Sequence, residues 1–283
     1  MHKQWFGKQW IIVLGVLVLA SFVASCVGND AASSTTSEPA AGEDEITLTV
    51  FAAASLTDAF GEIAEDFEGT NPGVTLAFNF AGSNQLAAQI NEGAPADVFA
   101  SANQTQMPNA VGSGRVDADA PVNFVTNRLV VIYPGDNPGN IGGLQDLAAP
   151  GTLVVLAAEA VPVGQYSLEF LDKASADPAF SPSFREDVLA NVVSYEENVR
   201  SVLTKVSLGE ADAGIVYTSD LVGVDDVSRL DIPDELNLVA EYPIAVLNDT
   251  VYGDMAAAFV DYVLSDAGQA TLAEYGFGAG TDR

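Results

Sequence analysis

The chain has 283 residues, and 39 acidic against 10 basic side chains give it a formal net charge of −29 at pH 7. Such an acidic chain lacks the positive surface that nonspecific nucleic-acid binding requires, so we expect no nucleic-acid partner. The single histidine, His2, lies in an amino-terminal segment that is predicted below to be an export signal, so the mature chain would offer no histidine for a triad or a metal site. The single cysteine, Cys26, allows no internal disulfide.

The first 25 residues have the pattern of an export signal. Lys3 and Lys8 precede an apolar run over residues 11–20, and Val-Ala-Ser stands directly before Cys26. The run is shorter than the roughly 20 residues that a membrane-spanning helix needs. Because the ending resembles a bacterial lipobox, we predict a lipoprotein signal peptide over residues 1–25 and acylation of Cys26. The alternative is cleavage by an ordinary signal peptidase, with Cys26 incidental.

Residues 26–44 are the predicted lipidated amino terminus and a disordered tether. They are rich in Ser, Thr, Ala, Gly and acidic residues and contain almost no side chains that could form a core. A lipid anchor and a flexible polar tether would hold a folded domain beside the outer face of the cell membrane. We therefore predict an extracytoplasmic protein that is anchored to the membrane.

The rest of the chain alternates between strand and helix patterns, which is typical of an α/β fold. Residues 46–51 form the first predicted strand, and Phe60, Ile63 and Phe67 lie on one face of the helix that follows it. Ser55 is predicted to be the N-cap of this helix. Further strands are predicted over residues 74–80, 96–101, 128–133, 152–158, 192–195, 213–217 and 243–247, and the chain finishes with helices near residues 254–264 and 267–275.

A folded part of about 240 residues is larger than the usual domain of about 100–150 residues, yet no linker divides it. Two lobes joined by crossing strands would explain both facts. We place the crossing strands near residues 123–133 and 242–248. The predicted lobe 1 then consists of residues 45–125 plus 248–283, and the predicted lobe 2 of residues 126–247.

One strand–turn–helix pattern recurs along the chain. In it, a predicted strand is followed by a turn of small residues, or of Pro and Gly, and then by the start of a helix. It occurs around Ser55, Ser83, Val163 and Val199. Ligands of open α/β sheets bind at the carboxyl ends of the strands, and helix amino ends offer N–H groups to anions. With the hydroxyl groups of Ser55, Ser83 and Tyr217, the pattern predicts an anion site made of uncharged hydrogen-bond donors.

A series of motifs extends over nearly all of the predicted domain. The most specific are GAPADV at residues 93–98 and GIVYTSD at residues 214–220, and others are VFAAASLT at residues 50–57 and NVR at residues 198–200. These motifs, in their order along the chain, resemble those of the periplasmic molybdate-binding proteins of ABC importers. The resemblance implies a two-lobed type II periplasmic-binding-protein fold, with the ligand cleft between the lobes and two crossing strands as the hinge.

The resemblance also implies a binding site and its partners. Proteins of that family hold a tetrahedral oxyanion with hydroxyl and backbone N–H groups and without cations. Matched by motif, the residues that bind molybdate, and tungstate as well, are Ser55, Ser83, Val163, Val199 and Tyr217. We expect no cofactor, no free metal cation and no catalysis, and a monomer that delivers its ligand to an importer permease in the membrane.

Several alternatives remain open at this point. The same fold could bind sulfate, another oxyanion or a small organic acid, and a carboxylate-based hydrolase is a more remote third interpretation. Ser55 and Ser83 could be plain helix caps, and Tyr217 could be a packing aromatic. We expect Arg200 to face solvent or a carboxylate, and Asp97 to cap a turn or brace the fold.

Overall fold

The computed structural model describes residues 45–280. The predicted signal peptide, the acylated Cys26 and the tether lie outside these described residues. Among residues 45–280, no helix combines the length and the apolar character that crossing a bilayer requires.

Strands and helices alternate along the described chain, as the sequence predicts. The strands are β1 (Ile46–Ala53), β2 (Val74–Ala81), β3 (Val98–Ala100), β4 (Val122–Pro134), β5 (Val154–Ala157), β6 (Val192–Glu196), β7 (Ala213–Tyr217), β8 (Val227–Asp231), β9 (Val239–Val246) and β10 (Gly278–Ala279). The helices are α1 (Thr57–Thr70), α2 (Ser83–Asn91), α3 (Met107–Gly112), α4 (Pro162–Ala176), α5 (Phe184–Ala190), α6 (Val199–Ser207), α7 (Gly253–Leu264) and α8 (Asp266–Glu274). Short 3-10 turns occupy Ala54–Leu56, Leu144–Ala148 and Thr218–Leu221.

The strands pair in the order β2, β1, β3, β9, β4, β7, β5, β6, and β8 and β10 pair with β4. β1 is parallel to β2 and β3, and β5 is parallel to β6 and β7. β9 and β4 are antiparallel to their neighbours and join these two parallel groups. Parallel strands place their carboxyl ends, and the helix starts that follow, at one edge of each group.

β4 is a strand of 13 residues that belongs to both groups. Its first part, up to Arg128, pairs with β9, and from Leu129 onward it pairs with β7 and β8. β4 and β9 therefore run where the sequence places the crossing strands. The division into lobes of residues 45–125 plus 248–283 and of residues 126–247 remains a prediction.

The core around α1 follows from the spacing of its aromatic residues. Phe60 and Phe67 lie on the buried face of the helix, and Phe60 is fully buried. The Phe60 ring lies about 6 Å from the rings of Phe78, Phe124 and Phe259, measured between centroids. These contacts hold α1 against β2, β4 and α7. They therefore fix the position of the turn that precedes α1.

Three elements are missing from the sequence prediction: α5, β8 and β10. α5 has seven residues and buries Phe184 and Val188, too short a pattern to reveal a helical period. β8 and β10 have no fully buried residue and therefore no hydrophobic alternation. β4 also begins at Val122 rather than near residue 128, since its first residues are fixed by pairing with β9.

Phe60→Ala is expected to lower the free energy of unfolding by about 3–5 kcal/mol, because it removes a fully buried ring with three aromatic neighbours. Denaturant-induced unfolding measures this loss. The control is Val251→Ala, at a side chain that is 84% exposed, which should change stability by less than about 0.5 kcal/mol. Equal effects of the two substitutions would contradict the assignment of this core.

Candidate functional site

A small cavity lies among the helix starts at the carboxyl ends of the strands. The five residues predicted as ligands all line it: Ser55, Ser83, Val163, Val199 and Tyr217. The other described residues of its wall are Ala, Gly, Val, Pro and Asn, so none of the described lining side chains carries a charge. The structure thus brings together residues that lie up to 162 positions apart in the chain.

Three helices begin at this cavity. Ser83 is the first residue of α2, Val199 is the first of α6, and Val163 is the second of α4, after Pro162. N–H groups in the first turn of a helix have no acceptor within the helix, and the helix dipole makes this end positive. The Asn198 side chain accepts the N–H of Ser201, deeper in the first turn of α6, and so caps that helix with a different N–H group than that of Val199.

Ser55 lies in the 3-10 turn between β1 and α1, and the prediction that it caps α1 is wrong. The N-cap of α1 is Leu56, and no side chain caps it. The turn is closed instead by the hydroxyl of Thr57, which donates to the carbonyl of Ala54 at 2.7 Å. The Ser55 hydroxyl therefore does not bond to the first turn of α1. It lies 2.9 Å from the hydroxyl of Tyr242 instead.

Ser83 also does more than begin a helix. The N-cap of α2 is Gly82, and the Ser83 hydroxyl accepts the backbone N–H of Ala102 at 3.0 Å. Both Ser83 and Ala102 line the cavity. Since a hydroxyl that accepts a hydrogen bond still has its own proton, Ser83 can donate to a group in the cavity.

Tyr217, the last residue of β7, contributes a buried hydroxyl that has no hydrogen-bond partner among the described residues. Burial raises the pKa of Tyr217 well above its usual value of 10, so the hydroxyl keeps its proton at neutral pH. A buried hydroxyl without a hydrogen-bond partner costs about 1–3 kcal/mol, and such groups are uncommon in folded proteins. A bound ligand that accepts from the hydroxyl would remove this cost. The Tyr217 ring also packs against Tyr242, with centroids 5.9 Å apart, so the packing role and a donor role coexist.

Arg200, the second residue of α6, binds carboxylates, as predicted. Its guanidinium lies 2.5 Å from Asp58 at the start of α1 and 3.2 Å from the fully buried Asp220. Asp220 also accepts the backbone N–H of Tyr217, and burial raises the pKa of Asp220 to about 6 against the opposing effect of Arg200. The charge of Arg200 is thus balanced beside the cavity, and Arg200 is not part of its wall.

Asp97 braces the fold, as expected. It accepts the backbone N–H of Thr49 at 2.7 Å and the hydroxyl of Thr250 at 2.5 Å. These bonds join β1 to the segment between β9 and α7, away from the cavity.

Sequence reasoning overlooked Tyr242 and Asn127, which lie behind Ser55. Tyr242 is on β9 and Asn127 is on β4, and both are buried. The Asn127 amide nitrogen donates to the hydroxyls of Tyr242, at 3.3 Å, and Ser219, at 2.7 Å. No local sequence pattern distinguishes a buried polar residue that supports a site from one that only packs.

A larger groove of about 980 Å³ lies along α1 and the end of α8. Its described lining includes the carboxylates of Asp58, Glu62, Glu65, Asp66 and Glu274. Clustered negative charges repel an anion, whereas the small cavity offers uncharged donors. The small cavity is therefore the anion site that the geometry favours.

Comparison with known proteins agrees with this fold. Residues 48–278 match the family of bacterial extracellular solute-binding proteins. The molybdate-binding protein ModA of Mycobacterium tuberculosis is 39% identical over 272 residues, which cover 95% of this chain and 98% of the relative. The ModA protein of Escherichia coli is 36% identical over 248 residues, which cover 83% of this chain and 90% of the relative.

Solved structures show the same fold at lower identity. The periplasmic molybdate-binding protein of Azotobacter vinelandii matches with a TM-score of 0.70 and 18% identity, over 81% of this chain and 98% of that one. The sulfate-binding protein SubI of Mycobacterium tuberculosis matches with a TM-score of 0.73 and 19% identity, over 82% and 86% of the two chains. The expected type II periplasmic-binding-protein fold and the resemblance to molybdate-binding proteins are thus confirmed, and the chain belongs to the bacterial extracellular solute-binding protein family.

Proposed function

We propose that this protein binds molybdate, with tungstate as a second ligand, outside the cytoplasm and delivers it to the permease of an ABC importer. The observation that carries the proposal is the buried Tyr217 hydroxyl, which has no hydrogen-bond partner among residues 45–280 and lies in a cavity where three helices begin and whose described lining is uncharged. The names of the relatives at 39% and 36% identity supply the choice of molybdate.

The proposed ligands are seven hydrogen-bond donors. Ser55 and Ser83 each offer a hydroxyl and a backbone N–H, Val163 and Val199 each offer a backbone N–H, and Tyr217 offers a hydroxyl. Burying a bare ion costs tens of kcal/mol by Born arguments, but each charge-assisted hydrogen bond returns about 1.5–3 kcal/mol net. About seven such bonds supply on the order of 10–20 kcal/mol, which exceeds the several kcal/mol lost to ordering of the ligand and the protein.

The cavity of this structure corresponds to the closed state of the proposed binding cycle. A β-carbon built on Gly82, before α2, would lie 2.5 Å from the carbonyl oxygen of Glu197, before α6. The side chains of Gln85 and Glu197 also meet, at 3.1 Å, and Arg200 reaches Asp58. Opening would separate these contacts by bending β4 and β9, the strands that join the two parallel groups.

A monomer anchored through acylated Cys26 would diffuse beside the permease, and the strongly negative net charge would keep it soluble. The family supports a role in transport rather than catalysis. Sulfate, other oxyanions and small organic acids are the competing ligands.

Isothermal titration calorimetry with molybdate, tungstate, sulfate, phosphate and a small dicarboxylate tests the choice of ligand. We expect molybdate and tungstate to bind with micromolar or lower Kd and at least about 100-fold more tightly than the others, a difference of about 2.7 kcal/mol. Comparable affinity for sulfate would remove the assignment to molybdate. Tighter binding of the dicarboxylate would remove the assignment to an inorganic oxyanion.

Tyr217→Phe and Ser83→Ala each remove one proposed donor and should weaken molybdate binding about 10- to 150-fold, the equivalent of 1.5–3 kcal/mol. The matched control is Tyr262→Phe, since the Tyr262 hydroxyl bonds to Asp66 outside the cavity. Wild-type affinity in Tyr217→Phe, with the fold intact by circular dichroism, would remove Tyr217 from the site.

Gly82→Ala tests the close approach of the cavity walls. The new methyl group would lie 2.5 Å from the Glu197 carbonyl oxygen, so we expect it to hold the walls apart and to raise the Kd for molybdate at least tenfold. Gly61→Ala is the control, because Gly61 lies in α1 with no atom within 4 Å of an added β-carbon. Equal affinity of the two variants would show that the walls need not close to this distance.

A further inference from the structure

A buried chain of hydrogen bonds leads from β4 to the Ser55 hydroxyl. The Ser55 oxygen lies 2.9 Å from the Tyr242 hydroxyl, and the Asn127 amide nitrogen lies 3.3 Å from the same hydroxyl. All three side chains are at most 3% exposed. Ser55 lines the cavity, whereas Asn127 and Tyr242 lie behind it.

The orientation of the Asn127 amide determines which groups donate and which accept in these hydrogen bonds. Its amide oxygen accepts the backbone N–H of Arg128 at 2.9 Å and the hydroxyl of Thr218 at 3.1 Å. A backbone N–H can only donate, so the atom that faces it must be the oxygen. The amide nitrogen, with its two protons, therefore faces the hydroxyls of Ser219 and Tyr242.

The Tyr242 hydroxyl links Asn127 to Ser55. Its oxygen accepts from Asn127, and burial raises the pKa of Tyr242, so its proton stays in place at neutral pH. Ser55 is the other hydrogen-bond partner of this hydroxyl among the described residues. If Ser55 donated to Tyr242 instead, the Tyr242 proton would be buried without an acceptor, which is unfavourable. Tyr242 thus donates to Ser55, and the Ser55 proton is free to face the cavity.

We propose that Asn127 and Tyr242 are positioning residues that hold the Ser55 hydroxyl as a donor toward the bound oxyanion. This inference rests on the proposed function and adds a selectivity mechanism to it. A serine hydroxyl that is free to rotate can accept a hydrogen bond from an anion that carries an O–H group, such as hydrogen phosphate. A serine whose oxygen is occupied by Tyr242 turns its proton to the cavity and so disfavours such an anion.

A double-mutant cycle with Ser55→Ala and Tyr242→Phe, read by calorimetry with molybdate, tests the positioning role. Tyr242→Phe keeps the ring that packs against Phe124, Tyr217 and Phe277 but removes its hydroxyl. We expect it to weaken binding about tenfold in the wild-type background and less than twofold in the Ser55→Ala background. Binding remains measurable there because the other proposed donors are intact. Tyr262→Phe serves again as the control for loss of a tyrosine hydroxyl.

Competition with phosphate measures the selectivity. Tyr242→Phe should lower the ratio of molybdate to phosphate affinity about tenfold, whereas a merely structural role would weaken both ligands alike. Asn127→Asp provides a second variant that removes the N–H donor to Tyr242. The charge that it adds acts with or without Ser55, so we expect a larger loss of affinity when Ser55 is present than in Ser55→Ala.

The outcomes separate the two proposals. Molybdate binding by the wild type, with additive effects of Ser55→Ala and Tyr242→Phe or an unchanged affinity ratio, would overturn the positioning role alone. A wild-type protein that binds none of the oxyanions would overturn the proposed function and the positioning role together. Thermal unfolding of each variant shows whether a loss of binding comes from a loss of fold.

Discussion

The structure depends on uncharged hydrogen-bond donors that meet where helices begin. Strand pairing within the two parallel groups brings the starts of α2, α4 and α6 to one small cavity. Each start offers N–H groups that its own helix cannot satisfy, and the positive end of each helix dipole lies at the cavity. This arrangement can hold an anion without a cationic side chain, which matters in a protein whose net charge would otherwise repel one.

Arg200, the charged residue next to a proposed ligand, lies outside the cavity wall. Arg200 begins α6 next to Val199, yet it is held by Asp58 and Asp220 and does not line the cavity. A free guanidinium in the wall would attract any anion through its positive charge, including protonated ones. Neutral donors at fixed positions instead require an anion with an acceptor at each of them, which favours selectivity over simple attraction.

The polar residues behind the cavity connect its wall to β4 and β9, the strands that join the two parallel groups. Asn127 is on β4 and Tyr242 is on β9, and their hydrogen bonds end at Ser55 in the cavity wall. A change in the crossing of β4 and β9 would therefore alter the support of a proposed ligand. In the proposed binding cycle, closing of the cavity and orientation of the Ser55 donor would depend on the same two strands.

The sequence alone determined the α/β class, most element positions and the five cavity residues, since strand–turn–helix patterns and motifs are local and contiguous. It misplaced Ser55 as a cap and overlooked α5, β8, β10, Tyr242 and Asn127. Only the tertiary structure decided those, because a hydrogen bond such as that between Ser55 and Tyr242 joins residues 187 positions apart. Such a contact depends on how β4 and β9 pair, and no periodicity within one segment records that pairing.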